Sequence, residues 1–112
     1  MKDQLLYAYL AGFFDGDGNV FRNPSTGRWY LNVTNTQCSI LEIFKDTFGG
    51  SIHPHRKAGE NASNHVVSRK NIYRWYCSGK VGIKVASVMF PHLTLKKTEM
   101  GKALEENFGL VR

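Results

Sequence analysis

Acids are scarce in this 112-residue chain. Nine Asp and Glu stand against 15 Lys and Arg, a formal net charge of +6 and a pI near 9.5. So large a basic excess in so short a chain points to a polyanionic partner, although an ordinary basic surface carries the same signature. Cysteine is nearly absent. Cys38 and Cys77 lie far apart without C-x-x-C spacing, so neither a zinc site nor a disulfide framework is indicated. Reduced thiols in an intracellular protein are the plain reading. No apolar run approaches the ~20 residues of a membrane span. The apolar stretch over 4–14 ends in acids, not in a small-residue cleavage site, which argues against a signal peptide. The expected location is therefore intracellular (host cytoplasm, nucleoid or organelle) and not secreted. No internal repeat or linker is visible, and residues 1–112 read as one domain with one modest core.

Aromatics make up 12% of the chain, and several sit beside basic residues, as in Arg28-Trp29-Tyr30 and Tyr73-Arg74-Trp75-Tyr76. That interleaving suits nucleic acid, and equally suits strands with one buried and one wet face. The spacing of Leu5, Leu6, Tyr9, Leu10, Phe13 and Phe14 predicts a helix over 3–15, with Asp3 as its N-cap. Its apolar residues cover more than one face, so burial on two sides is expected. Strands are predicted over 19–23 and 28–35, joined by the turn signal Asn23-Pro24-Ser25-Thr26-Gly27. In the second, Trp29, Leu31 and Val33 alternate with Arg28, Tyr30, Asn32 and Thr34. Ile40, Leu41, Phe44 and Phe48 predict a helix over 38–48, ended by Gly49-Gly50. Strands follow over 51–56 and 71–77, separated by a polar loop over 57–70. Two helices, over 80–90 and 94–107, complete the chain; the last takes Leu95, Met100, Ala103 and Leu104 as its apolar positions. Helices interrupted by antiparallel hairpins give an α+β layer in the order α-β-β-α-β-β-α-α, one sheet face covered by helices and the other open.

Residues 10–18 read Leu-Ala-Gly-Phe-Phe-Asp-Gly-Asp-Gly. A helix ends at the negative pole of its dipole, where carboxylates are disfavoured. Placing Asp15 and Asp17 there suggests a cation to meet them. Gly12 and Gly16 leave a bare stripe along which another backbone could approach. An EF-hand does not fit. Counted from Asp15, the loop's glycine position holds Val20 and its closing glutamate position Thr26; the shifted frame opens on Phe13 and closes on Pro24. A plain Asp/Gly turn between helix and strand is the commoner fate of such a string. It accounts for neither the glycine stripe nor the basic, polar-faced hairpins that follow.

The stretch resembles the signature of the LAGLIDADG homing endonucleases. Phe13 and Phe14 depart from the name motif but keep its apolar character. The resemblance covers most of the chain, and it implies a four-stranded antiparallel, saddle-shaped sheet laid in the DNA major groove. It further implies a single-motif, homodimeric member. One carboxylate is thin for an Mg²⁺ site, and two motif helices packed on the stripe of Gly12, Phe13, Asp15 and Gly16 would bring two together. The two-fold axis implies a pseudo-palindromic DNA target. By the same resemblance Asp17 is the catalytic metal ligand and the Gly16 carbonyl a second ligand. Asp15 is a capping or seam residue, with a structural acid satisfied by backbone amides the favoured alternative. Leu-Thr-Leu-Lys-Lys at 93–97 matches a segment whose lysine reaches the active site, which maps to Lys96, or to Lys97 if the register slips. A polar residue ending the second strand holds catalytic water in this family. Asn35 and then Gln37 are the candidates, either of which could simply cap the helix from Cys38. Mg²⁺ is the implied cofactor, with Mn²⁺ able to substitute and Ca²⁺ supporting binding only.

Base edges are read by Arg at guanine and by Asn or Gln at adenine. Candidates for DNA contact are Arg22, Asn23, Arg28, Tyr30, Asn32, His53, His55, Arg74 and Tyr76. Phosphate contacts are expected from Arg56, Lys57, Arg69, Lys70 and Lys80. Arg22 is the weakest, because strand alternation puts it on the core face with Val20. The chain is shorter than typical single-motif members, and the 23–27 loop is short, so outer base contacts are expected to be few. The leading expectation is an intron- or intein-encoded enzyme making staggered double-strand breaks. The alternatives are an RNA maturase, a catalytically silent nucleic-acid-binding protein of the same fold, or a basic structural adaptor.

Overall fold

The computed structural model describes residues 2–56 and 71–110. Its elements follow the expected order: α1 (Lys2–Asp17), β1 (Gly18–Arg22), β2 (Trp29–Asn35), α2 (Cys38–Phe48), β3 (Ser51–Arg56), β4 (Ile72–Ser78), α3 (Gly79–Met89) and α4 (Lys97–Glu105). Single 3-10 turns follow α3 (Phe90–His92) and α4 (Asn107–Gly109). The four described strands form one antiparallel sheet in the order β1-β2-β4-β3, so β2 and β4 are its centre. The architecture is α+β. No described helix is long and apolar enough to cross a membrane.

Register sorts the side chains by period two. Val20 pairs with Leu31, Leu31 with Cys77, Val33 with Trp75 and Trp75 with Ile52, and this face meets the helices. Leu10, Ala11 and Phe14 of α1, Leu41 and Phe44 of α2, Val85 and Met89 of α3, and Met100 and Ala103 of α4 close the core over it. Phe44 lies against Trp75 with ring centroids 4.8 Å apart. The Trp75 indole N–H donates to the Gly49 carbonyl at 2.8 Å, so the largest core side chain leaves no orphan donor. Each fully buried Leu or Phe contributes ~1.5–3 kcal/mol.

Three expectations need correction. Asp3 lies inside the first turn of α1 and is not its cap, since the helix starts one residue earlier. In the chain on its own, α1 is buried on one side only: Leu5 and Tyr9 are 75% and 56% exposed. The last helix starts at Lys97, not at 94, and Leu95 is 72% exposed and no core residue. Residues 94–96 are drawn out of the helix because their amides serve a carboxylate elsewhere. At the other end of α4, Glu106 accepts from the Trp29 indole N–H at 3.1 Å and pairs with Arg22 at 3.5 Å. Gly109 then packs on the Gly27 carbonyl, where a Cβ has no room.

Candidate active site and open sheet face

The end of α1 passes into β1 without a loop. A Cβ at Gly18 would fall on the Phe14 ring, so only glycine makes this corner. The corner separates two carboxylates two residues apart into different environments. The Asp15 carboxylate accepts from the backbone N–H groups of Thr94 (2.8 Å), Leu95 (3.0 Å) and Lys96 (2.8 Å). Desolvation works to raise its pKa. The Leu95, Lys96 and Thr94 amides and the nearby Lys96 charge outweigh that and hold it below the ordinary 3.8. Asp15 is thus an acid satisfied by backbone amides just ahead of α4, where the helix dipole favours a negative charge. Its side chain points to that turn, not to the helix stripe carrying Gly12 and Gly16. Asp15→Asn leaves one carboxamide oxygen for these three donors, with an expected loss of about 1–2 kcal/mol, read as a lower urea midpoint at unchanged m. Because the folded-state pKa is depressed, this stability is present above 3.8 and is lost as pH falls through the lower folded value. The gap between wild type and variant is therefore expected to be constant near neutrality and to close in acid.

Asp17 is exposed and makes no hydrogen bond or ion pair with any described residue. The Lys96 ammonium donates to the Asp15 carbonyl at 3.1 Å, which fixes a cation at the helix end that carries Asp17. Lys97 instead stands over the Phe90 ring, 5.1 Å from its centroid. Asn35 and Gln37 lie just past Val33, the β2 partner of Gly18, and so beside the Asp17 corner. The Asn35 side-chain oxygen accepts from the Gln37 backbone N–H at 2.8 Å. Gln37 is the N-cap residue of α2 but makes no side-chain capping bond. Among the described residues no three His, Cys, Asp or Glu side chains gather to hold a metal. One chain offers the Asp17 carboxylate and the end-of-helix carbonyls, Gly16 among them, which have no intrahelical partner. Those hard oxygens fit half of a site for an ion such as Mg²⁺, which takes only one or two carboxylates.

The open face carries Asn19 and Phe21 of β1, Tyr30, Asn32 and Thr34 of β2, Arg74 and Tyr76 of β4, and His53 of β3. A trough of about 330 Å³ runs across it, lined by Phe21, Tyr30, Asn32, His53, Pro54, Arg74 and Tyr76. Phe21 stacks on Tyr30 at 5.3 Å. His53 stacks on Tyr76, also at 5.3 Å, with their polar atoms 3.3 Å apart. Five of the proposed DNA-contact residues thus share one surface. Arg28 is exposed where β2 begins, and Lys80 is exposed at the start of α3. Arg22 lies on the helix side, paired with Glu106, and does not join them. Asn23 spends its side-chain oxygen on the Ser25 N–H within its own turn. A shift in the β3–β4 register falls between Pro54 and Arg56; the His55 and Arg56 side chains lie outside those the structure describes. Lys57, Arg69 and Lys70 lie outside the described residues. Sequence reasoning missed Phe21 and Asn19, although alternation around Val20 already placed both outward.

A family model described as a LAGLIDADG-like domain matches residues 4–78. The chain belongs to the LAGLIDADG family. A search of curated proteins gave no match. Among solved structures, the homing endonuclease I-CvuI, bound to its Sro1.3 target with 2 mM Ca, superposes with a TM-score of 0.67 at 22% identity, over 93% of this chain and 66% of its own. I-CvuI with the I-CreI target C1221 and 2 mM Mg, its DNA not cleaved, gives a TM-score of 0.66 at the same identity and coverages. The archaeal intron-encoded I-Vdi141I bound to DNA gives 0.63 at 18% identity, over 96% of this chain and 69% of its own. These similarities establish the LAGLIDADG fold. The chain spans 66% of the length of I-CvuI, just short of two thirds.

Proposed function

We propose that this LAGLIDADG chain acts as one half of a homodimeric, Mg²⁺-dependent, site-specific DNA endonuclease. The observation that carries the reading is the uncovered face of α1. Leu5, Tyr9, Gly12 and Gly16 are all exposed along it, and it runs to the exposed Asp17. A second copy packed there covers the apolar side chains and brings a second Asp17 to the same place. Bound Mg²⁺ supplies activated water and offsets charge on the phosphate oxygens. The Asp17 pair and the Gly16 carbonyls hold the ion. Lys96, anchored on the Asp15 carbonyl, sets a positive charge beside the scissile phosphate, and Asn35 and Gln37 orient water. The open sheet face meets the major groove, and the two-fold axis makes the target pseudo-palindromic. The structures of I-CvuI and I-Vdi141I with DNA support this use of the fold.

The test is a randomised duplex library incubated with the purified protein in Mg²⁺ and, separately, in Ca²⁺. Cleavage in Mg²⁺, binding alone in Ca²⁺, and a linear fall of log affinity with log salt are expected. Binding to intron RNA with no cut DNA identifies the maturase alternative instead. A monomer at micromolar concentration by light scattering, with cleavage retained, overturns the dimer.

A further inference from the structure

One acid of this basic chain stands beside the turn of the β1–β2 hairpin, on the helix side of the sheet. The Glu106 Oε1 atom accepts from the Trp29 indole N–H at 3.1 Å and lies 3.5 Å from Arg22 Nε. Trp29 is buried, so its indole needs an acceptor there. A neutral oxygen would meet that need. Among the described residues the added negative charge meets one cation, Arg22. The two partners are held unequally. The Glu106 backbone is bonded on both sides, its N–H donating to the Lys102 carbonyl at 3.0 Å and its carbonyl accepting from the Gly109 N–H at 2.9 Å. Phe108 locks the same turn, fully buried beside Gly82, where a Cβ has no room. Arg22, by contrast, ends β1, an edge strand whose one strand neighbour is β2. Its side chain is 47% exposed. The guanidinium lies over the 23–27 turn, with Nη2 3.2 Å from the place of a Cβ on Gly27. The acid is the fixed member of the pair and the arginine the movable one.

We propose that Glu106 withholds Arg22 from the DNA backbone and so acts as a brake on sequence-independent binding. The proposal rests on the proposed DNA function. With the open face in the groove, the hairpin turn lies near the bordering phosphates. An arginine on a free strand edge reaches them by side-chain rotation alone. Glu106 opposes that contact in two ways. It neutralises the guanidinium, and it repels a phosphate approaching the same place. An ion pair this exposed is weak, so the brake is mild and graded. Phosphate contacts carry no sequence information. The brake therefore lowers binding to target and non-target duplex alike, while base contacts still hold the target. What it shortens is the time spent bound elsewhere.

The experiment measures binding of the full chain to a short duplex without a selected target, in metal-free buffer over a range of chloride concentrations. Glu106→Gln keeps an oxygen for the Trp29 indole and removes the charge, so its thermal unfolding should stay close to that of wild type. Its log affinity should fall more steeply with log salt, by about 0.9 for each subunit on the DNA. At low salt it should bind roughly 2- to 5-fold tighter per subunit. Arg22→Gln should keep the wild-type slope, and the double variant should return to it. Glu99→Gln removes an exposed charge from the first turn of α4 and should not change the slope. Four results overturn the brake and leave the nuclease reading standing: an unchanged slope in Glu106→Gln, a steeper slope surviving in the double variant, the same steepening in Glu99→Gln, or a shallower slope in Arg22→Gln alone. Should Glu106→Gln unfold, Arg22→Gln still decides, because an arginine already on a phosphate makes that slope shallower when removed. Wild-type protein that binds no duplex at any salt overturns both.

Discussion

Asp17→Asn is expected to leave the fold and the DNA affinity in place and to abolish strand cleavage. The side chain contributes nothing to the core, being exposed and without a described partner. The backbone it sits on is fixed by Gly18 under the Phe14 ring, and the substitution does not touch that corner. Thermal unfolding should therefore be unchanged. The carboxamide has lost the charge that holds a divalent ion, and the ion's stabilisation of the transition state is worth several kcal/mol. At 1.36 kcal/mol per decade the expected loss is about 10³-fold or more, read in single-turnover cleavage at saturating Mg²⁺. Asp15→Asn should give the opposite pattern. It unties residues 94–96, lowers stability, and reaches cleavage only through Lys96. Two carboxylates so close in sequence thus separate by phenotype. Cleavage by Asp17→Asn within tenfold of wild type removes Asp17 from the chemistry.

The reason the sequence separates some of these features and not others is the range over which each is decided. The α2 helix is local: Ile40, Leu41, Phe44 and Phe48 set its buried stripe, and Gly49, at φ 93°, ends it where the doublet predicts. The two faces of β2 are local too, since period-two alternation fixes them without knowledge of the neighbours. The start of α4 is not. It depends on a carboxylate from α1, about 80 residues earlier in the chain, that captures the Thr94–Lys96 amides. Arg22 finds Glu106 in the same non-local way. The turn roles of Asn23 and Asn35 were readable in principle, because Asn bonds its own backbone two residues on. The low exposure of Asn32 depends on its pairing with Asn19 of β1 and Tyr76 of β4, and no sequence window contains both.

Gly12→Leu, and separately Gly16→Leu, should yield a folded protein that no longer dimerises or cuts. Within one chain neither glycine is required. A Cβ at either position meets nothing within 4 Å, and neither has the positive φ that strains other residues. Replacing a helical glycine removes backbone freedom from the unfolded chain, so the isolated subunit should gain up to roughly 0.5–1 kcal/mol, more at Gly12 than at Gly16 in the last turn. Under the proposed dimer, glycines that the monomer would be steadier without make room for the second helix. Gly16 makes the point sharply, since it stands where the family's name motif has alanine, already a small residue. Against a second α1 the leucine separates the backbones, and overpacking costs about 1–3 kcal/mol at each site. Two-fold symmetry doubles each substitution, giving about 2–6 kcal/mol, or dimer weakening from roughly 30-fold to above 10⁴-fold. Sedimentation equilibrium beside thermal unfolding reads both quantities. A variant that stays dimeric moves the seam away from this face. One that loses stability without changing association shows that the glycines serve the subunit itself. Only a steadier monomer without cleavage ties the bare stripe to the pairing of the two Asp17 carboxylates.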